Sequence, residues 1–349
     1  MEIRASAEMH RIVELANQLV WNAPDLDLLR GHPENEYALI AQTLQTQLKK
    51  SHARGTLSLP DLRAFDNTSV GVFSDYGGES TGDYFVYSAL VCGYGITGEF
   101  NTRMKAVRAK HHLGEKEIAF KDFGMGQLLR ALPDYLAALN SSVPGFLCSL
   151  VVDKKLTTLF GSPEDSTLSE LLCAEGLGNW KPQVAEKLLR VVHFTAFLAA
   201  LLTHNGQKII WMSDHDAICP NEEKHTNMLS LFGRILGVYT RYGCTFPIVG
   251  GAIPFEERSV EMMDLLSAPD VVAGSLGDYL TKRDSMRHDE IRVKEGTREV
   301  LRWLTHDGLC LKKATFVLRK NATGAIEGGT LEFQPLEQAE EVLFIPVSM

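Results

Sequence analysis

At 349 residues with 45% hydrophobic side chains, the chain has enough apolar material for one large core or two modest ones, which excludes a disordered protein. Forty-four acidic against 35 basic residues give a formal net charge of -9, so the field of the whole molecule repels a nucleic-acid backbone and leaves only local patches to bind one. No stretch reaches the roughly 20 apolar residues of a membrane span, and MEIRASAEMHRIVELANQ is an amphipathic helical pattern without a signal peptide's apolar run. The six cysteines (Cys92, Cys148, Cys173, Cys219, Cys244, Cys310) form no CxxC pair. A cytoplasmic protein with reduced thiols, no disulfides and no membrane partner is the expectation.

In chain order, residues 1–66 read as a helical segment: HRIVELANQLVW and EYALIAQTLQTQLKK place apolar residues three and four apart, punctuated by Pro33 and Pro60. VGVFSDYGGESTGDYFVYSALVC, residues 70–92, reads as a hairpin. Val70, Val72 and Phe73 run up to Asp75, a Gly-rich turn follows, and residues 84–91 are β-branched and aromatic. EFNTRMKAVRAKHH predicts a helix, EIAF a short extended piece, and GMGQLLRALPDYLAALN a second helix with Pro133 as an imperfection. GFLCSLVVD is a continuous apolar run of strand length, the pattern of a strand buried on both faces.

QVAEKLLRVVHFTAFLAALLTHNG predicts a long helix ended by Asn205 and Gly206, with QKIIWMSD as a second buried strand, so the two strands should run parallel. A helix around EEKHTNMLSLFGRILGVYT, a strand at CTFPIVG, and a helix from Glu256 to Arg283 follow. Pro269 should kink or restart that last helix just before Asp270. The tail is charged, with a helix near TREVLRWLTHD and β-like pieces at ATFVLRK, TLEFQPL and EVLFIPV. The expected fold is α/β: a ribonuclease-H-like mixed sheet, an antiparallel hairpin followed by parallel strands, with flanking helices. It divides into a helical N-terminal segment (1–66), the central domain (67–284) and a C-terminal helix with β-strands (285–349).

Such a sheet brings three carboxylates together. Asp75 ends the first strand, Asp214 ends KIIWMSD with Asp216 two residues on, and Asp270 opens a helix. Acids from two strand ends and a helix start can converge on one or two Mg²⁺ or Mn²⁺ ions, which take oxygen ligands and can bridge a phosphate. Glu79, in the Gly-rich turn, and Asp216 are the auxiliary ligands. Taken singly, each acid has an equally good structural reading as a turn residue or helix N-cap, so the set carries the signal.

The chain resembles the DUF3800 family, ribonuclease-H-like proteins found mainly in prokaryotes. The family opens with a strand ending near DESG and a second apolar strand, here SDYGGESTGDYFVYSALV. EIAFKDF, LVVDKK, IIWMSDHD and LLSAPDVVAGSLGDYLTK follow in the family's order across residues 68–283. The resemblance implies acidic-site residues at Asp75, Asp214 and Asp270, Lys121 and Lys154 as basic residues near a phosphate, and a metal-dependent nuclease acting on nucleic acid. Two departures stand out: the DESG acid pair is interrupted, and Pro269 replaces the usual alanine before the helix acid.

Rival readings come from other classes. One is a catalytically silent ribonuclease-H-like protein that binds a protein partner through its N-terminal helices or C-terminal β segment. GYGITG, residues 93–98, matches a dinucleotide fingerprint after a strand and before a helix, although no acid-ended strand follows about 20 residues on. His215, Cys219 and His225, with Asp216, lack a compact zinc spacing, and no GxSxG elbow occurs. Arg103, Lys105, Arg108, Lys110, His111 and His112 form either a phosphate-binding patch or a solvated helix face.

Overall fold

The computed structural model describes residues 17–30, 36–78, 82–161, 167–252, 259–285, 291–334 and 345–346. Seven strands form one mixed sheet: β1 (Ser69–Gly77), β2 (Tyr84–Gly93), β3 (Gly145–Asp153), β4 (Lys208–Ser213), β5 (Val249–Ala252), β6 (Leu311–Lys320) and β7 (Ile326–Thr330). Their spatial order is β5-β4-β1-β2-β3-β6-β7. β2 is antiparallel to both β1 and β3, whereas β4 runs parallel to β1, β5 parallel to β4 and β6 parallel to β3. β8 (Phe333–Gln334) and β9 (Ile345–Pro346) make a separate two-stranded ladder.

Eight helices have described bounds: α1 (Leu39–Ala53), α2 (Gly98–Lys110), α3 (Gly126–Ser142), α4 (Thr167–Ala174), α5 (Pro182–Leu202), α6 (Glu222–Tyr239), α7 (Val260–Ser285) and α8 (Glu295–Leu304). They cover the two faces of the sheet and give two cores. α1, α4, α5 and α6 pack on the face that Val72, Phe146 and Trp211 present, and α2, α3, α7 and α8 pack on the face of Phe73, Leu147 and Met212. β3 is buried at every position, which explains its uninterrupted apolar run. α5 is buried around nearly its whole circumference because it lies between the sheet and its neighbouring helices, with Glu186 and Arg190 paired to each other within it.

Four readings of the chain need correcting. EIAF forms no strand: a 3₁₀ turn occupies Phe120–Asp122, where two phenylalanines anchor a connection instead of pairing with a sheet. Pro269 neither kinks nor restarts a helix, because α7 runs through it for 26 residues, so Asp270 is mid-helix and not an N-cap. The C-terminal β segment is not an appendage, since β6 and β7 extend the central sheet beyond β3. α1 is likewise part of the core: it buries Ile40, Leu44 and Leu48, and its Gln47 side chain donates to the Gly328 carbonyl of β7 at 3.0 Å. All six cysteines are free, and among the described residues no helix is long and apolar enough to cross a membrane.

Candidate active site

Alternation along the strands decides which side chains meet. Phe73 belongs to the α7-side core, so Asp75, two residues on, faces the same way, while Ser74 and Tyr76 face α5. On β4, Met212 is on the α7 side and Trp211 on the other, so Asp214 comes to the same face as Asp75. The register supports this: Ser74 pairs with Ser213, and the Asp214 N–H donates to the Ser74 carbonyl at 3.0 Å, carrying the parallel ladder one step past β4.

Asp270 reaches the pair from above. Its Oδ2 accepts the backbone N–H of Phe120 at 2.8 Å, and its carboxyl is hydrogen-bonded to that of Asp75. Asp75 also accepts the N–H of Tyr76 and is only 8% exposed. Burial, then Asp270, then Asp214 push the Asp75 carboxyl well above the usual carboxylate range. Burial is also the main cause that raises Asp270 to about 6, against the hydrogen bond from Phe120. Two like charges this close are costly to keep together, so the pair favours holding a proton. Asp214 is raised as well, by burial first, while the hydrogen bond from the His215 backbone and the charge of Lys121 oppose it.

A fourth carboxylate, Glu117, was not among the residues picked from the sequence. Its charge helps raise both Asp214 and Asp270. Glu117 and Lys121 form an ion pair at 3.3 Å across the Phe120 turn, leaving the Lys121 side chain mostly in solvent beside the acids. The sequence did carry a signal, the Glu-to-Lys spacing of four within EIAFKDF. The connection is held by Arg108, which lies on α2. Its Nη1 donates to the Gly114 and Lys116 carbonyls at 2.8 and 3.0 Å, and its Nε donates to Asp264 of α7 at 3.0 Å. Gly274 lets Phe120 sit against α7, since a Cβ there would lie 2.1 Å from the Phe120 ring.

The other candidates lie elsewhere. Asp216 is ion-paired with Lys187 of α5, and its Oδ1 accepts the N–H of Ile218 at 2.8 Å, so it is held on the opposite side of the sheet. Lys154 also lines a cavity on the α5 face, with Tyr76 and not with Asp75. Alternation is the reason for Lys154, one step past Asp153, whereas Asp216 lies in the turn after β4, where the chain has left the strand period and Lys187 and the Ile218 N–H fix its carboxylate. Glu79 lies outside the described residues.

The first two glycines of GYGITG serve packing. Gly95 donates its N–H to Asn67 Oδ1 at 3.1 Å, and a Cβ on Gly93 or Gly95 would press on Ile96 or Asn67. Most of the basic run on α2 is engaged: Arg103 with Glu99, Lys105 with Glu261, Arg108 with Asp264, and Lys110 and His111 with Asp134. That is a paired face, solvated except at the buried Arg108, and not a phosphate cradle. His215 is exposed and directed at the Pro220 carbonyl, while Cys219 is buried with its thiol pushed up to about 12.

The donor set of Asp75, Asp270, Asp214 and Glu117 is all oxygen and carries more negative charge than Lys121 can balance. In chemistry an all-oxygen set of this kind suits a hard divalent cation that keeps several waters. Among the described residues, however, no group of three or more His, Cys, Asp or Glu side chains stands ready to hold a metal ion. No family model, no curated protein and no solved structure matches the chain.

Proposed function

We propose that this protein is a metal-dependent phosphodiesterase acting on nucleic acid, of the DUF3800 type. The observation that carries the reading is the cluster of carboxylates at the C-terminal ends of the parallel strands β1 and β4, where Asp75, Asp270 and Asp214 lie close enough that burial and mutual charge raise all three. Crevices at such strand ends are where α/β sheets commonly bind ligands. The strand order β5-β4-β1-β2-β3, with β2 antiparallel, supports a ribonuclease-H-like core with β6 and β7 added beyond it.

In this reading Asp75, Asp270, Asp214 and Glu117 would be the residues that hold Mg²⁺ or Mn²⁺. Once bound, the metal would supply the Lewis acid that offsets charge on a phosphate and lowers the pKa of an attacking water. The rigid backbone of β1 and the Phe120 N–H fix the carboxylates, and Lys121 provides a cation for a non-bridging phosphate oxygen. The test is calorimetric titration with Mn²⁺ of wild type and Asp75→Asn, with cleavage of DNA and RNA followed in the same buffer. Binding and cleavage should both vanish in the variant. A wild type that neither binds Mn²⁺ nor cleaves would sink the reading.

A second reading, a catalytically silent interaction protein, draws on one observation: the described carboxylates make no ready three-ligand group. Under it, Asp75→Asn and Asp214→Asn leave every ligand-binding property unchanged.

A further inference from the structure

Behind the carboxylates, on the α5 face of the same strand ends, hydroxyls close an otherwise apolar run. Ser74 and Tyr76 follow Val70 and Val72 on β1, and Ser213 follows Ile209 and Trp211 on β4. Ser74 is 0% and Ser213 1% exposed. A buried hydroxyl costs stability unless it is hydrogen-bonded, and an apolar side chain would fill the space without that requirement. These three are all bonded, and to one another. Trp211 Nε1 donates to Ser74 Oγ at 2.8 Å, and Ser74 Oγ lies 2.6 Å from the Tyr76 hydroxyl. That hydroxyl lies 3.1 Å from Ser213 Oγ, which donates to the Asp214 carbonyl at 3.4 Å.

The two ends of this chain fix its direction. An indole N–H can only donate and a carbonyl can only accept, so Ser213 gives its proton to Asp214, Tyr76 gives its own to Ser213, and Ser74 gives its own to Tyr76. Each hydroxyl donates once and accepts once. A polar network satisfied in this way rigidifies the elements that carry it.

Every member of the chain adjoins the site. Ser74 precedes Asp75, Ser213 precedes Asp214, and the two serines are register partners across β1 and β4. Tyr76 follows Asp75 and gives its backbone N–H to that carboxylate. Its ring is gripped as well. The Tyr87 ring of β2 lies 5.9 Å away between centres, and Lys187 Nζ stands 5.2 Å from the Tyr76 ring while pairing with Asp216, two residues beyond Asp214. One side chain thereby ties the ends of β1, β2 and β4 together.

We infer that Tyr76 is a positioning residue: its hydroxyl, through Ser74 and Ser213, fixes the separation of the Asp75 and Asp214 carboxylates on the other face of the sheet. The inference rests on the phosphodiesterase reading and gives that site a support from behind. Tyr76 touches neither metal nor substrate in this role and acts through the backbone of the residues that do. Removing such a support costs a metal site about ten- to a hundredfold in affinity.

The test is calorimetric titration of the full chain with Mn²⁺, with hydrogen exchange in metal-free buffer followed by mass spectrometry on peptides spanning β1 and β4. Tyr76→Phe removes only the hydroxyl, and Ser213→Ala removes its acceptor. Tyr239→Phe is the control, because it deletes another buried tyrosine hydroxyl, one bonded to His193 Nδ1 of α5 at 2.5 Å. Tyr76→Phe should weaken Mn²⁺ binding by about tenfold or more and speed amide exchange at the end of β4, while Tyr239→Phe leaves both at wild-type values. Ser213→Ala, the smaller change, makes the same prediction by itself. The two combined should lose no more affinity than either alone, because they break the same link.

A lower Tm with Mn²⁺ affinity and exchange unchanged would show a hydroxyl that only stabilises, and overturns the inference. Losses of affinity that simply add in the double variant overturn it as well. Failure of the parent reading looks different: the wild type binds no Mn²⁺. Exchange then decides the inference alone, since faster exchange of the Asp214 amide in Tyr76→Phe sustains it and equal protection in the two proteins overturns it.

Discussion

Helix α7 carries a buried and a half-buried carboxylate six residues apart, and they are treated in opposite ways. Asp264, 2% exposed, meets the guanidinium of Arg108 in a two-pronged contact and is fully matched in charge. Asp270 meets Asp75, another acid, and no cation forms an ion pair with either of them among the described residues. A fold that can place an arginine on one carboxylate of this helix leaves the other in a cluster of like charge. The first arrangement secures the helix and the Glu117 connection. The second keeps a free-energy cost that a bound cation would relieve, the mark of a functional site more than of a structural one.

The largest expected effect tests the structural half of that contrast. Arg108→Met strands Asp264 as a buried charge and releases two loop carbonyls, so urea denaturation should show a loss of about 3–5 kcal/mol. An unchanged midpoint would mean the pair is not what holds α2 to α7.

The cation is next. At a hundred times its dissociation constant, Mn²⁺ should stabilise the wild type by about 2.7 kcal/mol at pH 8, seen as a raised Tm. Asp75→Asn and Asp214→Asn should not respond.

Asp270→Asn should move stability the other way from Arg108→Met. Asp270 titrates at about 6 in the folded chain against 3.8 for an ordinary aspartate, so the folded state holds the extra proton between those values. The stabilisation from that proton is complete below pH 3.8 and is lost as pH rises past about 6. Above pH 6 without metal, Asp270→Asn should therefore be more stable than wild type by about 3 kcal/mol, and the two should converge near pH 4. Stability that falls with pH equally in both proteins would assign the loss to other groups.

The smallest effect is at Lys121. Because its ion pair with Glu117 is exposed, Lys121→Gln should change stability by less than about 0.5 kcal/mol. Its loss should appear in cleavage rate alone.

The legible parts were those with strong local period or composition. The apolar run of β3, the helical periodicity of α5 and α6, and the turn-flanked β1 and β2 all lie where they were read. The strand KIIWMSD does run in the same direction as β3, but it pairs with β1, and β1 and β2 lie between the two. Local reading failed where tertiary packing outweighed propensity. Burial of α7 along its length against both the sheet and α8 tolerates Pro269, and EIAF follows the demands of Phe120 and Phe123 instead of a strand period. β7, with its two glycines and exposed residues, has too little apolar pattern to announce itself.

For the site, sequence alone determined which acids stand near strand ends, because a strand read from its apolar run ends where the run ends. Asp75 and Asp214 follow from that. Only the tertiary structure decided that Asp216 and Lys154 lie on the far face, that Glu117 joins the cluster, and that Asp270 reaches Asp75 from the middle of a helix. Those outcomes depend on the direction a side chain takes from a pleated strand and on how α7 crosses β1 and β2, and neither is written in any local stretch of residues.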